Sequence, residues 1–301
     1  MTGIFRKSDG GLVAALPSRR YASALMKWWN RSCCIEFGGW PMVLALLATS
    51  GCQLAHNYSD PDGPRYAGNH ASDPTETSAL PHIKVVTFNI QYGERYARAH
   101  EELSATPDLS GADIILLQEM DAPGTEAIAA ALERDYVYYP GSVQRGRDFG
   151  NAVLSRWPIV EDQKLILPHK NPVDGRQRIA VRAVIETPIG TLEAFSVHNE
   201  TPWLGPRARL EQARAVLNVA RRAPAWAIIA GDFNTGDPGS LDATVELYAQ
   251  QGFAWVSYHG GGGLGTLDNT FARQTTSLAS GSVATNASDH EPQWVRLELL
   301  H

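Results

Sequence analysis

Short runs of consecutive apolar residues, broken by Gly, Pro and Asn, punctuate the chain from residue 83 onward. Between them lie segments whose apolar residues recur every three or four positions. A run of four to eight apolar residues bounded by turn formers predicts a buried strand, and the longer spacing predicts an amphipathic helix. Strands are expected over 83–90, 113–118, 151–155, 159–167, 178–186 and 191–198. Further strands are expected at the run opening at Ala227, near 253–256, and over 267–271 and 293–299. Helices are expected over 96–104, 124–134, 206–222 and 241–250. In the third of these, Leu210, Ala213, Leu217 and Ala220 lie on one side. Pro188, Ile189 and Gly190 predict a hairpin turn.

The mixture of hairpins with strand-helix-strand units predicts an α/β fold, a four-layer sandwich of two mixed β-sheets flanked by helices. The stretch Ala227-Ile228-Ile229-Ala230-Gly231-Asp232-Phe233-Asn234-Thr235 has a special place in it. It reads as a buried strand leaving the core with a carboxylate and a carboxamide two apart, on one side of an extended backbone. Such a pair can orient a water, a metal or a phosphate oxygen. Equally, Asp232 can open an Asx-turn that Asn234 closes.

The earlier part of the chain has a different texture. Residues 39–51 form an apolar run too short to span a bilayer as a helix, but suited to the core of a signal peptide, with Lys27 and Arg31 ahead of it. Thr49, Ser50 and Gly51 before Cys52 resemble a bacterial lipobox, which implies lipidation at Cys52. Residues 53–80 are polar, with few apolar positions and no period, and cannot bury enough surface to offset their ordering entropy. The expected organisation is therefore a signal segment over 1–51, a flexible tether over 52–80 and a folded domain over 81–301. The expected location is the bacterial cell envelope, lipid-anchored at the outer membrane or periplasmic face.

Charge narrows the function classes. The chain carries a formal charge of -6, and from Pro81 onward 19 Lys and Arg face 26 Asp and Glu. A general nucleic-acid binder would show a basic footprint. The three cysteines, Cys33, Cys34 and Cys52, all precede the domain, so no disulfide or thiolate metal site supports it.

Several strand ends carry polar residues that a core does not require: Asn89, Glu119, His198, Asp232 with Asn234, and Asp289 with His290. Each has an ordinary reading alone, as a helix cap, a salt bridge or a structural histidine. Convergence at one sheet edge would make them a site. Arg145, Arg147, Arg176, Arg178 and Arg182 can grip a phosphate by forked hydrogen bonds or form a solvated charged face. Gly260 to Gly263 read as a flexible loop without the ending of a nucleotide P-loop. Trp157, Trp203, Trp226, Trp255 and Trp294 read as core or hairpin packing.

The chain resembles the endonuclease/exonuclease/phosphatase superfamily of metal-dependent phosphoesterases, which includes DNase I-like nucleases, sphingomyelinases and inositol-phosphate phosphatases. The resemblance rests on an ordered set of segments. These are Thr87-Phe88-Asn89, Leu117-Gln118-Glu119, Gly150-Asn151-Ala152-Val153-Leu154-Ser155, Ser196-Val197-His198, Arg209 with Gln212, Gly231-Asp232-Phe233-Asn234, Leu267-Asp268 and Ser288-Asp289-His290.

The resemblance implies that Glu119 binds a divalent cation, Mg²⁺ or Mn²⁺, with Asn89 and Asp289. It implies that Asp232 and Asn234 orient the attacking water and the phosphate. His290, partnered by Asp268, would contact a phosphoryl oxygen or move a proton, and His198 would stand beside the leaving group. Arg147, Asn151 and Arg178 are candidate substrate contacts. Hard Mg²⁺ prefers the carboxylate and amide oxygens this set supplies. Apurinic-site endonucleases carry an acidic residue where this chain has Gln91, which argues against that activity.

The expected function is an exported, membrane-anchored, Mg²⁺-dependent phosphoesterase acting on a phosphodiester or phosphomonoester, a small phosphoester or a phospholipid or sphingolipid head group being favoured. An extracytoplasmic nuclease is the enzymatic alternative, with nucleic acid as a less favoured partner. A catalytically inactive envelope binding module is the alternative of another class.

Overall fold

A computed structural model of the chain describes residues 55–72, 82–257 and 267–300. The signal segment, Cys52 and the glycine loop at Gly260 to Gly263 lie outside the described residues. Gln53–His301 forms one compact unit.

In chain order the elements are β1 (Tyr66–Gly68), β2 (His82–Asn89), α1 (Tyr96–Ala105), β3 (Ile114–Met120), α2 (Ala122–Ala131), β4 (Asp135–Gln144), β5 (Arg147–Ser155), β6 (Ile159–Lys170), β7 (Gln177–Thr187) and β8 (Gly190–His198). After these come α3 (Pro206–Ala220), β9 (Trp226–Asp232), α4 (Pro238–Ala249), β10 (Phe253–Trp255), β11 (Asp268–Arg273), β12 (Thr275–Ser282) and β13 (Gln293–Leu299). Helix starts follow capping rules: Asp121 accepts from Gly124 N ahead of α2, and Asp237 from Ser240 N ahead of α4, each with a proline in the first turn.

Two sheets result, one of seven strands in the order β1-β4-β5-β3-β2-β13-β12 and one of six in the order β10-β11-β9-β8-β7-β6. Both are mixed, with β2 parallel to β3 and β8 parallel to β9. The sandwich of two mixed sheets flanked by helices is thus the observed architecture.

Alternation along the strands sorts side chains into three apolar layers. Val85, Leu116, Ala194, Ile228 and Ala230 fill the space between the sheets. Val86, Phe88, Ile115 and Leu117 pack outward against α1 and α2. Val197, Ala227 and Ile229 pack outward against α3 and α4.

Three strands, β1, β4 and β12, escape the periodicity reading. In β4 apolar residues occupy both faces and Pro140-Gly141 interrupt the run, so it shows no period. β12 is a polar strand at the sheet's edge. The placement of β1 corrects the tether over 55–72. There Tyr66 to Gly68 pair with Tyr138 to Tyr136, Asn57 bridges to Ser142, and the Tyr58 hydroxyl donates to Asp148 Oδ1 at 2.7 Å. These residues are ordered by backbone and polar pairing along an otherwise open strand edge, a contribution that counting apolar residues misses. The tryptophans divide as well: Trp157 and Trp226 are buried, but Trp203 is 55% exposed and is not packing residue of core or hairpin.

Candidate active site

The alternation that builds the inner layer also delivers its polar ends. Asn89 continues the inward phase of Ile83 and Val85, Asp232 that of Ile228 and Ala230, and His198 that of Leu192 and Ala194. Asp268 pairs directly with Asp232, which in turn pairs with His198. All four side chains are buried at one end of the sandwich.

Glu119 has the opposite phase. On a regular β3 it would follow Ile115 and Leu117 outward. The ladder with β5 shifts register between Leu117 and Met120, and Glu119 sits at φ +61°. This irregularity, of the kind that re-aims a side chain at a strand's end, turns its carboxylate to the mouth. There Glu119 Oε1 accepts from Asn89 Nδ2 at 3.2 Å and Oε2 from Tyr92 N at 3.0 Å.

Asp232 is the centre of the cluster. Its Oδ2 accepts from Asn89 Nδ2 at 3.2 Å and lies 3.5 Å from His198 Nε2 and 3.9 Å from His290 Nε2. Its Oδ1 accepts from Asn234 N at 2.8 Å. The Asx-turn and the site are therefore compatible, one oxygen serving each. Asn234 has φ +53° and turns its Nδ2 to the Asn199 carbonyl at 2.9 Å, so it pins the neighbouring loop. His290 Nδ1 meets Asp268 Oδ2 at 2.6 Å. The Ser288 hydroxyl donates to the Asn89 carbonyl at 2.6 Å, which fastens the loop of Asp289 and His290 to the end of β2. Asp289 itself is exposed, and its Oδ1 accepts from Ser288 Oγ at 3.4 Å.

Protonation follows from burial and neighbours. Burial raises the Glu119 carboxyl, against the pull of Arg178 and His290. Asp232 is pushed up to about 7, first by burial and also by Asp268, while His290 opposes the rise. Burial, then Arg178 and His290, hold His198 well below the usual imidazole range, so it is neutral. His290 is the reverse case: burial works against its charge, but Asp268 and Asp232 raise it well above that range. One neutral and one cationic imidazole thus face the same carboxylate.

The other candidates are placed differently. Arg147 forms a salt bridge to Asp121 and is not joined to the cluster. Asn151 is buried between the sheets, its Nδ2 donating to the Ile179 and Ser196 carbonyls, both at 3.1 Å. Arg145 covers the Tyr92 ring at 3.8 Å, Arg176 pairs with Asp174, and Arg182 pairs with Glu161 and Glu193. Arg178 does reach the site. Its Nη1 lies 3.0 Å from His198 Nε2, and its Nε donates to Glu200 Oε2 at 3.3 Å.

Glu200 is a site residue that sequence reasoning misses. It is fully buried, yet stands past the end of β8, where no alternation marks its direction. Tyr92 and Phe149 complete the wall, Phe149 lying 5.7 Å from both the Tyr92 and the His198 rings.

The donor set fits a hard divalent cation. Among the described residues the one ionisable partner of the half-buried Glu119 within 4 Å is His198, at 3.8 Å, and the cationic Arg178 and His290 act on its carboxylate only from farther away. Asp268 Oδ1 and Asn199 Oδ1, both buried, have no hydrogen-bond partner among the described residues. Among the described residues no three of His, Cys, Asp and Glu gather so as to hold a metal ion by themselves. Glu119 and the exposed Asp289 offer carboxylate oxygens of the kind a hard divalent cation takes, while Asn89 turns its Nδ2 to Glu119 and its Oδ1 accepts from Gln91 N at 3.1 Å.

Comparison with known proteins agrees with the fold. The sequence pattern of the Endonuclease/Exonuclease/phosphatase family matches residues 86–290, and the chain belongs to that family. Its superfamily members are hydrolases of phosphoric esters that generally use divalent metal ions. Similar solved structures include an endonuclease/exonuclease/phosphatase from Beutenbergia cavernae, at 22% identity and TM-score 0.58, covering 73% of this chain and 72% of that one. A D. rerio TDP2 humanized by 14 mutations aligns at 16% identity and TM-score 0.59, covering 72% of this chain and 99% of that one. Sphingomyelinase C from Streptomyces griseocarneus aligns at 18% identity and TM-score 0.53, covering 72% and 99%. No protein in the search of curated sequences matches.

Proposed function

We propose that the protein is an exported, Mg²⁺-dependent phosphoesterase, with Mn²⁺ the alternative ion, held at the bacterial envelope by lipid on Cys52. It hydrolyses a phosphodiester or phosphomonoester by direct attack of water, with a small phosphoester or a phospholipid or sphingolipid head group as substrate. The observation that carries this reading is the Asp232 carboxylate, buried between Asn89, His198 and His290.

Asp232 takes the hydrogen of a water and aims its oxygen at phosphorus. Asn234 holds that carboxylate through its backbone N–H. His290, kept cationic by Asp268, offsets charge on a phosphoryl oxygen and can hand over a proton. Neutral His198 stands by the leaving group with Arg178 beside it. Glu119, Asn89 and Asp289 would hold the cation, whose chemistry when bound is Lewis-acid polarisation of a phosphoryl oxygen. The acidic composition of the domain disfavours a nuclease, which needs a basic track. Retention of Glu119, Asp232, Asp268 and His290 disfavours an inactive binding module.

The test is hydrolysis by the purified full chain of phospholipid, nucleic-acid, nucleotide and sugar-phosphate esters, with Mg²⁺ and with chelator. The expected result is cleavage of a phospholipid or small ester that chelator abolishes. Cleavage of none, or a rate indifferent to chelator, overturns the mechanism. Glu119→Gln should cost about 100-fold or more in kcat, the scale of a removed charge-stabilising group. Radiolabelled palmitate should enter at Cys52, and unchanged labelling of Cys52→Ser would remove the anchor.

A further inference from the structure

Two large apolar side chains, on turns at the strand ends that carry Arg178 and His198, are bare to solvent. Val173, 75% exposed, tips the turn between β6 and β7, and Trp203, 55% exposed, tips the turn between β8 and α3. Isolated exposed apolar residues are ordinary. These two are set apart by their wiring. Asn171 Oδ1 accepts from Val173 N at 2.8 Å and Asp174 N at 3.2 Å, which shapes the first turn. Asn171 Nδ2 then donates to Glu200 Oε1 at 2.9 Å. The same oxygen accepts from Thr201 N at 2.8 Å, where the second turn begins. The other Glu200 oxygen takes Arg178, which touches His198. One buried carboxylate therefore fixes both tips relative to the catalytic cluster.

The N-terminal segment leads to the same place. Asn57 Nδ2 donates to the Gly175 carbonyl at 2.9 Å, and its Oδ1 accepts from Gln177 N at 2.8 Å, so Asn57 is fastened to the turn of Val173. Asn57 lies five residues after Cys52, a reach of at most about 18 Å. A chain anchored at Cys52 thus brings this turn, and no distant face, close to the lipid.

We infer that Val173 and Trp203 form a lipid-docking rim that seats the active-site mouth on the membrane carrying the anchor, so that the substrate is a phosphoester at head-group depth. The inference rests on the phosphoesterase and Cys52 readings above. Trp, with an apolar body and one polar N–H, suits the head-group level of a bilayer. Arg207, almost fully exposed in the first turn of α3 after Trp203, is paired with Glu211 at 3.3 Å, so the rim rests on its apolar side chains rather than on a free cation. The other large exposed apolar side chains among the described residues, such as Val160 and Leu278, are not on these turns.

The test reconstitutes the full chain into vesicles of phosphatidylethanolamine and phosphatidylglycerol with plain or brominated acyl chains, and reads tryptophan quenching. Brominated lipid should quench the parent, and Trp203→Phe should remove at least half of that quenching. Val173→Asp should lower it at least twofold, and the control Val160→Asp should leave it unchanged. Quenching that survives in Trp203→Phe, or that Val160→Asp lowers as much as Val173→Asp, overturns the rim. Hydrolysis of bis(4-nitrophenyl) phosphate by the parent with Mg²⁺ is measured alongside. Its absence would defeat the phosphoesterase reading while the quenching result still decides the docking.

Discussion

Gly231 sits one residue before the centre of the site, at φ +144°, where β9 runs beside β8. A Cβ added there would press into the Val197 peptide, overlapping its carbonyl oxygen and lying 2.9 Å from its carbonyl carbon and its nitrogen. Carbon contacts relax only near 3.5 to 4 Å, so Gly231→Ala must push the two backbones apart by more than half an ångström. These atoms are main chain in a buried ladder and no rotamer can absorb the overlap. Overpacking of about 1–3 kcal/mol adds to backbone strain of about 1–3 kcal/mol.

The sum, about 2–6 kcal/mol, is a large share of the roughly 5–15 kcal/mol that holds a domain folded. At roughly 2–4 °C per kcal/mol for a domain of this size, Tm should fall by about 5–20 °C. Because Asp232 follows directly and its carbonyl accepts from Asn199 N at 2.8 Å, kcat should fall at least tenfold in the fraction that stays folded. The assay is differential scanning calorimetry with single-turnover kinetics. Gly239→Ala is the control, since its Cβ would find only Asp237 Oδ1 at 3.5 Å. A Gly231→Ala protein melting within about 2 °C of the parent would refute the argument that this strand pair has no room.

Asp268→Asn removes the charge that sustains the His290 imidazolium. A raised histidine pKa stabilises the fold fully below the unfolded value of about 6.5 and ceases to do so as pH rises through the folded value. The Tm gap between parent and variant should therefore be widest near pH 6 and narrow on the alkaline side, and a gap independent of pH would count against the pair. Ser196→Ala deletes the hydroxyl that donates to the Leu117 carbonyl at 2.8 Å and accepts from Gln118 Nε2 at 3.0 Å across the sheets. Leaving those buried groups unmet should cost about 1–3 kcal/mol, measured by urea denaturation. Glu200→Gln keeps the shape but drops the charge beside Arg178, and should lower kcat more than it raises KM if Glu200 positions His198 through that arginine.

Much of the fold is legible because two periods survive in the residues themselves. The runs at 83–90, 191–198 and 227–232 alternate between inner and outer layers in the sandwich as they do on paper, and their terminal Asn89, His198 and Asp232 keep the inner phase. That phase is a local property of an extended backbone, so sequence alone determines which side chains point at one another. It cannot determine what a break in phase does. Glu119 counts as outward and is turned inward by an irregular, left-handed residue whose conformation depends on where β5 stops pairing.

Nor do local patterns reveal elements held by distant partners. β1 and β12 are ordered by the strand edges they meet, and Glu200 becomes a strut because Asn171, Arg178 and Gln212 arrive around it from other elements. The same holds for protonation. Asp232 with a carboxyl near neutrality, His198 neutral and His290 charged are not properties of those residue types. They follow from burial and a few short distances, and these exist only once both sheets have closed over the inner layer.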